Sequence, residues 1–276
     1  MSHSPHQGPA YLTRFRPTVT QFNRRIGPFA RSIISHIEVD PESEDLADIL
    51  AEHPRLVVAA NHGPTFGPLA SSVGMMKHLD AVGHGHRRFF GVTWRGFYRL
   101  PIARELATLM SGSAGVFSVE QYAETLRFGP FNDFLVMPEG DNCNFGDGFE
   151  VQPFLSSGFL EIALRARVPV LIAANQGTEA WAKVFELESM KDSPWLGVLP
   201  KRWRNRVRDT GIVSVTNPLR GRISPLRLSF QLYQPSISLD ELPSDKMERR
   251  AMLQLEGAEV RRRMQDMVSR MATLAE

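Results

Sequence analysis

The chain carries a single cysteine, Cys143, among its 276 residues. An internal disulfide is thereby excluded, and a reducing compartment is the natural setting for such a sequence. Long apolar runs are missing as well. No uninterrupted stretch approaches the roughly 20 residues that a membrane-spanning helix needs, and the opening MSHSPHQGPAYLTRF has no apolar core of signal-peptide length. These absences set the expectation of a cytoplasmic protein, peripheral on the cytoplasmic face of a membrane if it meets one at all. The G-x-S-x-G elbow of serine hydrolases does not occur. His84 and His86 resemble a metal pair only superficially, with no third ligand specified nearby, so no metal is expected. A net charge of +2, from 32 Lys+Arg against 30 Asp+Glu, is too small to imply a nucleic-acid partner.

The distribution of charge says more than its total. No acidic residue precedes Glu38, whereas Arg14, Arg16, Arg24, Arg25 and Arg31 are all basic. Between Lys201 and Arg227 lie eight basic residues against the single acid Asp209. Such patches suit an anionic membrane surface or a phosphate-bearing ligand such as coenzyme A. Either patch taken alone is equally consistent with a solvated face. In the first 40 residues, Tyr11, Leu12, Phe15, Phe22, Phe29 and Ile33 sit among arginines. One or two amphipathic helices are expected there, lying at a lipid interface or packed on the body of the protein. The economical division is an N-terminal amphipathic helical segment over 1–45 and one α/β domain over 46–276.

Within that domain short apolar runs alternate with helical patterns. Strands are predicted at 56–60, 89–93, 134–137 and 169–174, with further β-prone stretches at 114–119, 211–216 and 226–233. Helices are predicted at 66–79, 97–109, 121–127, 157–167 and from about 245 to 271. The last is expected to bury Met252, Leu255, Val260, Met264 and Met267. Apolar strands separated by helices belong in a mostly parallel central sheet flanked by helices, an α/β fold.

In open sheets of this kind, sites form beyond the carboxyl ends of strands. Two predicted strands end in unusual polar sequences, Asn61-His62-Gly63-Pro64-Thr65 and Pro138-Glu139-Gly140-Asp141-Asn142. An imidazole just past a buried strand is a usable general base near neutrality. It is also, commonly enough, a packed or surface histidine. Glu139 beside a glycine is placed to hold a substrate or orient the histidine, or simply ends a strand. Thr65 either lines such a site or caps the following helix. Gln176 follows the 169–174 strand as an acceptor contact or as an ordinary turn. Nothing around Cys143 marks a lowered thiol pKa, so a cysteine nucleophile paired with His62 is poorly supported.

The ordered set Asn61-His62, then about 75 residues later Val136-Met137-Pro138-Glu139-Gly140, then Val168-Pro169-Val170, resembles the glycerophospholipid acyltransferase family. That family's motifs read N-H-x-x-x-x-D, F-P-E-G-T-R-S and V-P-V-x-P, and the similarity covers roughly residues 50 to 270. The resemblance implies transfer of a fatty acyl group from acyl-CoA or acyl carrier protein to a lipid hydroxyl at a membrane surface, with no cofactor. It implies His62 as general base, with Glu139 or Asp141 contacting it across the sheet edge in place of the family's aspartate. Asn61, Thr65, Arg95, Gly140, Asn142 and Gln176 would then contact substrates, Arg95 being the candidate for an anion. Two departures stand out. The aspartate that orients the family's histidine falls on Gly67, and Asp141-Asn142 replaces the family's Thr-Arg, which argues against a glycerol-phosphate acceptor. The rival reading is a non-catalytic lipid-binding or scaffolding protein on the same fold.

Overall fold

The computed structural model describes residues 17–93, 104, 108, 111–112, 115–191, 193–199, 201–217 and 221–274. In chain order its elements begin with α1 (Val19–Ile33), β1 (Ile37–Val39), α2 (Leu46–Glu52), β2 (Leu56–Ala60), α3 (Gly67–Ala81) and β3 (Phe89–Gly91). Next come α4 (Val119–Phe128), β4 (Asp133–Val136), a 3-10 turn at Gly140–Phe145, α5 (Gly158–Ala166) and β5 (Val170–Gln176). The last are β6 (Ala182–Glu186), α6 (Lys201–Thr210), β7 (Ile212–Thr216), β8 (Leu226–Tyr233) and α7 (Lys246–Thr273).

Six strands make one sheet in the order β1-β8-β5-β2-β4-β3. β5, β2, β4 and β3 are mutually parallel, β8 is antiparallel to β5, and β1 runs parallel to β8. This is the mostly parallel α/β architecture that the apolar runs imply. Every residue of β2 and of β5 is buried, as strands covered on both faces must be. Val57, Ala59 and Ile172 pack with Leu126, Leu160 and Met264 of α4, α5 and α7. Val58, Leu171 and Ala173 pack on the other face with Phe22 of α1 and Val73 and Met76 of α3. The register sets the site. Ala59 lies opposite Val136 of β4 and Ile172 of β5, so β2 and β4 end at nearly one level while β5 runs on beside them to Gln176.

The N-terminal segment from Val19 is tied to the sheet. A capping box of Thr18 and Gln21 starts α1, which buries Phe22, Ala30 and Ile33. β1 then pairs with β8 along the sheet edge. Three expectations are corrected. Residues 115–118 form no strand, because Ser118 turns the chain into α4 through a capping box with Gln121. Leu255 is 77% exposed, and α7 buries Leu253 and Glu256 instead. The basic run after Lys201 forms the helix α6, where no element was expected. The helix predicted at 97–109 lies for the most part outside the described residues, as does Arg95.

Candidate active site

The exits of β2 and β5 are locked by two asparagines. Asn61 Nδ2 donates to the Asn175 carbonyl at 2.9 Å, and the Asn175 N–H donates to Asn61 Oδ1 at 2.7 Å. Asn175 Nδ2 reaches the Asn61 carbonyl at 3.0 Å and its Oδ1 at 2.7 Å. Both side chains are buried. A buried amide left unpaired is costly, so this reciprocal set fixes the direction in which the chain continues into His62.

Glu139 fixes the same turn from β4. Its Oε1 accepts the His62 backbone N–H at 2.6 Å, and its Oε2 accepts the Gln152 N–H at 2.6 Å. The carboxylate therefore joins three segments: the exit of β2, the exit of β4 and the loop before α5. Burial raises its pKa to about 7, while the two N–H donors and Arg261 pull the other way. The turn bearing Glu139 thus stands beside His62, but it grips the backbone rather than the ring.

The His62 residue itself is half-buried. Its Nδ1 is buried without a hydrogen-bond partner. Desolvation lowers the imidazole pKa to about 4, partly offset by nearby backbone groups and by the negative charge of Asp141. At neutral pH the ring is therefore uncharged and able to accept a proton. Gly67 begins α3, where its N–H donates to the Pro64 carbonyl at 2.6 Å. A Cβ there would stand 2.7 Å from the His62 carbonyl oxygen and 3.2 Å from Thr178 Oγ1. The backbone of the His62 turn fills the space that a side chain at 67 would occupy.

The remaining predicted residues surround this edge. Gly140 adopts φ +54°, a left-handed conformation suited to glycine, and turns the chain into the Gly140–Phe145 segment. Asp141 Oδ1 forms an ion pair with Arg202 of α6 at 2.5 Å, and Trp203 Nε1 donates to Oδ2 at 3.3 Å. Asn142 Nδ2 donates to the Pro153 carbonyl at 2.6 Å and its Oδ1 accepts from Arg202 at 3.0 Å. Thr65 does not cap α3. Its hydroxyl bonds to Asn144, and Phe66 occupies the cap position. Gln176 is buried with Oε1 unpartnered. Sequence reasoning missed Gln152, Arg202 and Trp203 as neighbours of the site. Nothing in their local sequence marks them, since each acts through a contact distant along the chain. The Cys143 thiol is buried and its pKa is pushed up by desolvation and by Glu139 and Asp141, which leaves it protonated. Among the described residues, no cluster of three or more His, Cys, Asp or Glu is placed to hold a metal. A small cavity under the same edge is lined by Ala60, Ser72, Met75, Met137, Asn175 and Phe230, and His62 does not line it.

No protein-family profile matches the chain. No curated protein sequence matches it either. Among solved structures the chain is similar to the 1-acyl-sn-glycerophosphate (LPA) acyltransferase PlsC from Thermotoga maritima, at 17% identity over 90% of this chain and 78% of that one, with a TM-score of 0.43.

Proposed function

We propose that the protein is an acyltransferase that moves a fatty acyl group from a thioester, acyl-CoA or an acyl carrier protein, to a lipid hydroxyl. The observation that carries this reading is a neutral, half-buried imidazole on the carboxyl edge of a parallel sheet, its backbone gripped by a buried carboxylate from the neighbouring strand end. Such an arrangement holds a proton acceptor at a defined position without protonating it.

In this mechanism His62 Nε2 takes the proton of the acceptor hydroxyl as that oxygen bonds to the thioester carbonyl carbon. The carbonyl electrons move to oxygen, and the tetrahedral oxyanion is met by backbone N–H groups before α3, those of Thr65 and Phe66, since Pro64 has none. Collapse re-forms the carbonyl and breaks the carbon–sulfur bond. The departing thiolate recovers the proton from the imidazolium, giving an ester and a free thiol. No enzyme nucleophile is needed, because the thioester is already activated. Glu139 acts as a positioning residue through the His62 N–H, and the Asp141 charge favours the transient imidazolium. Thr65, Gly140, Asn142 and Gln176 border the proposed acceptor site together with Asn61, and Arg95, the residue proposed for an anion contact, lies outside the described residues. The acceptor is proposed to be a lipid at a membrane surface. Among the described residues no helix is long and apolar enough to cross one.

The test is thioester consumption with a panel of lyso-lipids, monoacylglycerol, diacylglycerol and fatty alcohols, comparing the wild type with His62→Ala. Turnover in the wild type that disappears in a folded His62→Ala variant is the expected result. Equal turnover in the two rules out the base. The non-catalytic reading is favoured by one observation, the lack of any acceptor on Nδ1. It predicts saturable lipid binding with no thioester consumption by either protein.

A further inference from the structure

Between β5 and β8 the chain leaves the main sheet to build a separate module. β6 and β7 pair as an antiparallel ribbon, and α6 lies beside it over a small core of Phe145, Leu196 and Val207. Two features of this module have no partner among the described residues. One is apolar. Val184 and Phe185 are each 40% exposed, Val215 is 53% exposed and Val198 is 82% exposed. The other is charge. Of the cations on α6, Arg202 is engaged by Asp141 and Arg206 by Gln152. Lys201, Arg204 and Arg208 meet no carboxylate among the described residues, and Arg208 reaches only the Lys191 carbonyl. The described acids of this module are Glu186, Glu188 and Asp209, of which Glu188 is paired with Lys191. On β6, Lys183 Nζ lies 5.0 Å from the centre of the exposed Phe185 ring.

Single exposed apolar side chains are ordinary on a soluble protein. Several of them on one small module, beside cations that meet no carboxylate among the described residues, call for a surface that is apolar within and anionic at its face. We infer that the β6–β7 ribbon and α6 form a docking surface for an anionic lipid bilayer, with Lys201, Arg204 and Arg208 on the headgroups and Val198 entering the interface together with Phe185 and Val215, which the register puts on one face of the ribbon. Lysine and arginine stems suit this role because they span the apolar–polar boundary. The module is also bolted to the turn that carries Asp141, through Arg202 at 2.5 Å and Trp203 at 3.3 Å. Docking here brings the Gly140–Phe145 turn toward the lipid. The surface does not depend on His62 chemistry, so the two proposals fail separately.

Co-sedimentation tests this with two vesicle types, phosphatidylcholine alone and equal parts phosphatidylcholine and phosphatidylglycerol, at low and high salt. The wild type should pellet with the anionic vesicles at low salt, release at high salt, and ignore the neutral ones. Replacing Lys201, Arg204 and Arg208 together by Gln should weaken binding on the order of 100-fold, since each basic group near such a surface contributes about fivefold. Val198→Asp changes a side chain that is 82% exposed, so it should fold normally and still weaken binding about tenfold or more. Circular dichroism checks the fold of each variant, and Val198→Asp decides the matter if the triple variant does not fold. His62→Ala should bind as the wild type does. Equal binding to both vesicle types, or no binding to either, overturns the proposal. So does anionic binding that survives in both surface variants, which assigns the contact to another face. Capture of a soluble acidic protein in place of vesicles overturns it as well.

Discussion

Restoring the acidic residue that family resemblance places at position 67 should damage this protein rather than improve its chemistry. A Cβ on Gly67 would meet the His62 carbonyl oxygen at 2.7 Å, Pro64 Cδ at 3.2 Å and Thr178 Oγ1 at 3.2 Å. The closest of these is backbone, so no rotamer change relieves it. The turn at His62 would have to move, yet it is held by the 2.6 Å bond to Glu139 on one side and by the Gly67 bond to Pro64 on the other. Overpacking of this kind costs about 1–3 kcal/mol. Gly67→Ala should therefore lower Tm by roughly 2–10 °C in a chain of this size. Gly67→Asp should cost more, because a carboxylate is added where glycine is buried. Both should lose acyl transfer, since the displaced backbone is that of the proposed base. Calorimetric melts beside thioester-consumption assays measure both effects. A Gly67→Asp variant that melts like the wild type and transfers faster would show that the turn relaxes freely, and the steric reasoning would be wrong.

Other consequences concern the two titrating groups of the turn. With His62 lowered to about 4, kcat/KM should stay level down to about pH 5 and fall with a midpoint near pH 4. A midpoint near 6.5 would contradict the burial of the ring. For stability the sign is opposite in the two groups. His62 is neutral in the folded state and protonated in the unfolded state between about pH 4 and 6.5, so its share is lost as pH falls through that window, by about 1.4 kcal/mol per pH unit. Glu139, raised to about 7, keeps its proton in the folded state between about pH 4.5 and 7, so its share is lost as pH rises. The two slopes nearly cancel between about pH 4.5 and 6.5, and His62→Ala should expose the second. Urea titrations across that range should show the variant gaining stability on acidification relative to the wild type, and parallel pH dependences would count against it. Glu139→Gln replaces one of two acceptors by a donor and leaves a buried N–H of His62 or Gln152 facing an amide nitrogen. A loss of roughly 2–4 kcal/mol is expected, and an unchanged urea midpoint would deny the bracing role.

The parts of this structure that were legible in the sequence are those written in local pattern. β2 and β8 fall on their predicted limits because Leu56–Ala60 is a continuous apolar run and Leu226–Tyr233 alternates around Leu228 and Phe230. His62 and Glu139 meet at the exits of β2 and β4, the strand ends that the sequence singled out. Elements that depend on distant partners were not legible. β1 is three residues long and gains its strand character from Leu226, Arg227 and Leu228 across the ladder. α6 reads as charge, with Val207 its one fully buried side chain, and it exists because Phe145 and Asp141 give that face something to pack on and pair with. α7 was placed correctly and buries Val260, Met264 and Met267 as expected, but in its first half Leu253 and Glu256 are buried where Met252 and Leu255 were expected. Glu256 occupies a buried position by accepting bonds from the Tyr233 hydroxyl and from the Ser236 N–H and hydroxyl, and hydropathy assigns that position to an apolar side chain.

The way Glu139 is used bears on what kind of base His62 can be. A carboxylate on the imidazole would stabilise the imidazolium and raise its pKa. Here both carboxylate oxygens are occupied by backbone N–H groups, and Nδ1 is buried with no acceptor. The charge formed during proton transfer is then supported by nearby backbone groups and, at a distance, by Asp141, which is itself paired with Arg202. Such a base assists rather than drives the attack. Its use is consistent with an acyl donor whose thiolate leaves readily, and inconsistent with an oxygen ester or amide donor, whose leaving groups need a stronger acid–base partner. Breaking the Asp141–Arg202 pair should therefore help the chemistry. Arg202→Gln would unmask the Asp141 charge, raise the acid midpoint of the pH–rate profile above about 4, and increase turnover of thioesters while leaving oxygen esters inert. A variant whose midpoint does not move would mean that Asp141 exerts no useful field at the ring.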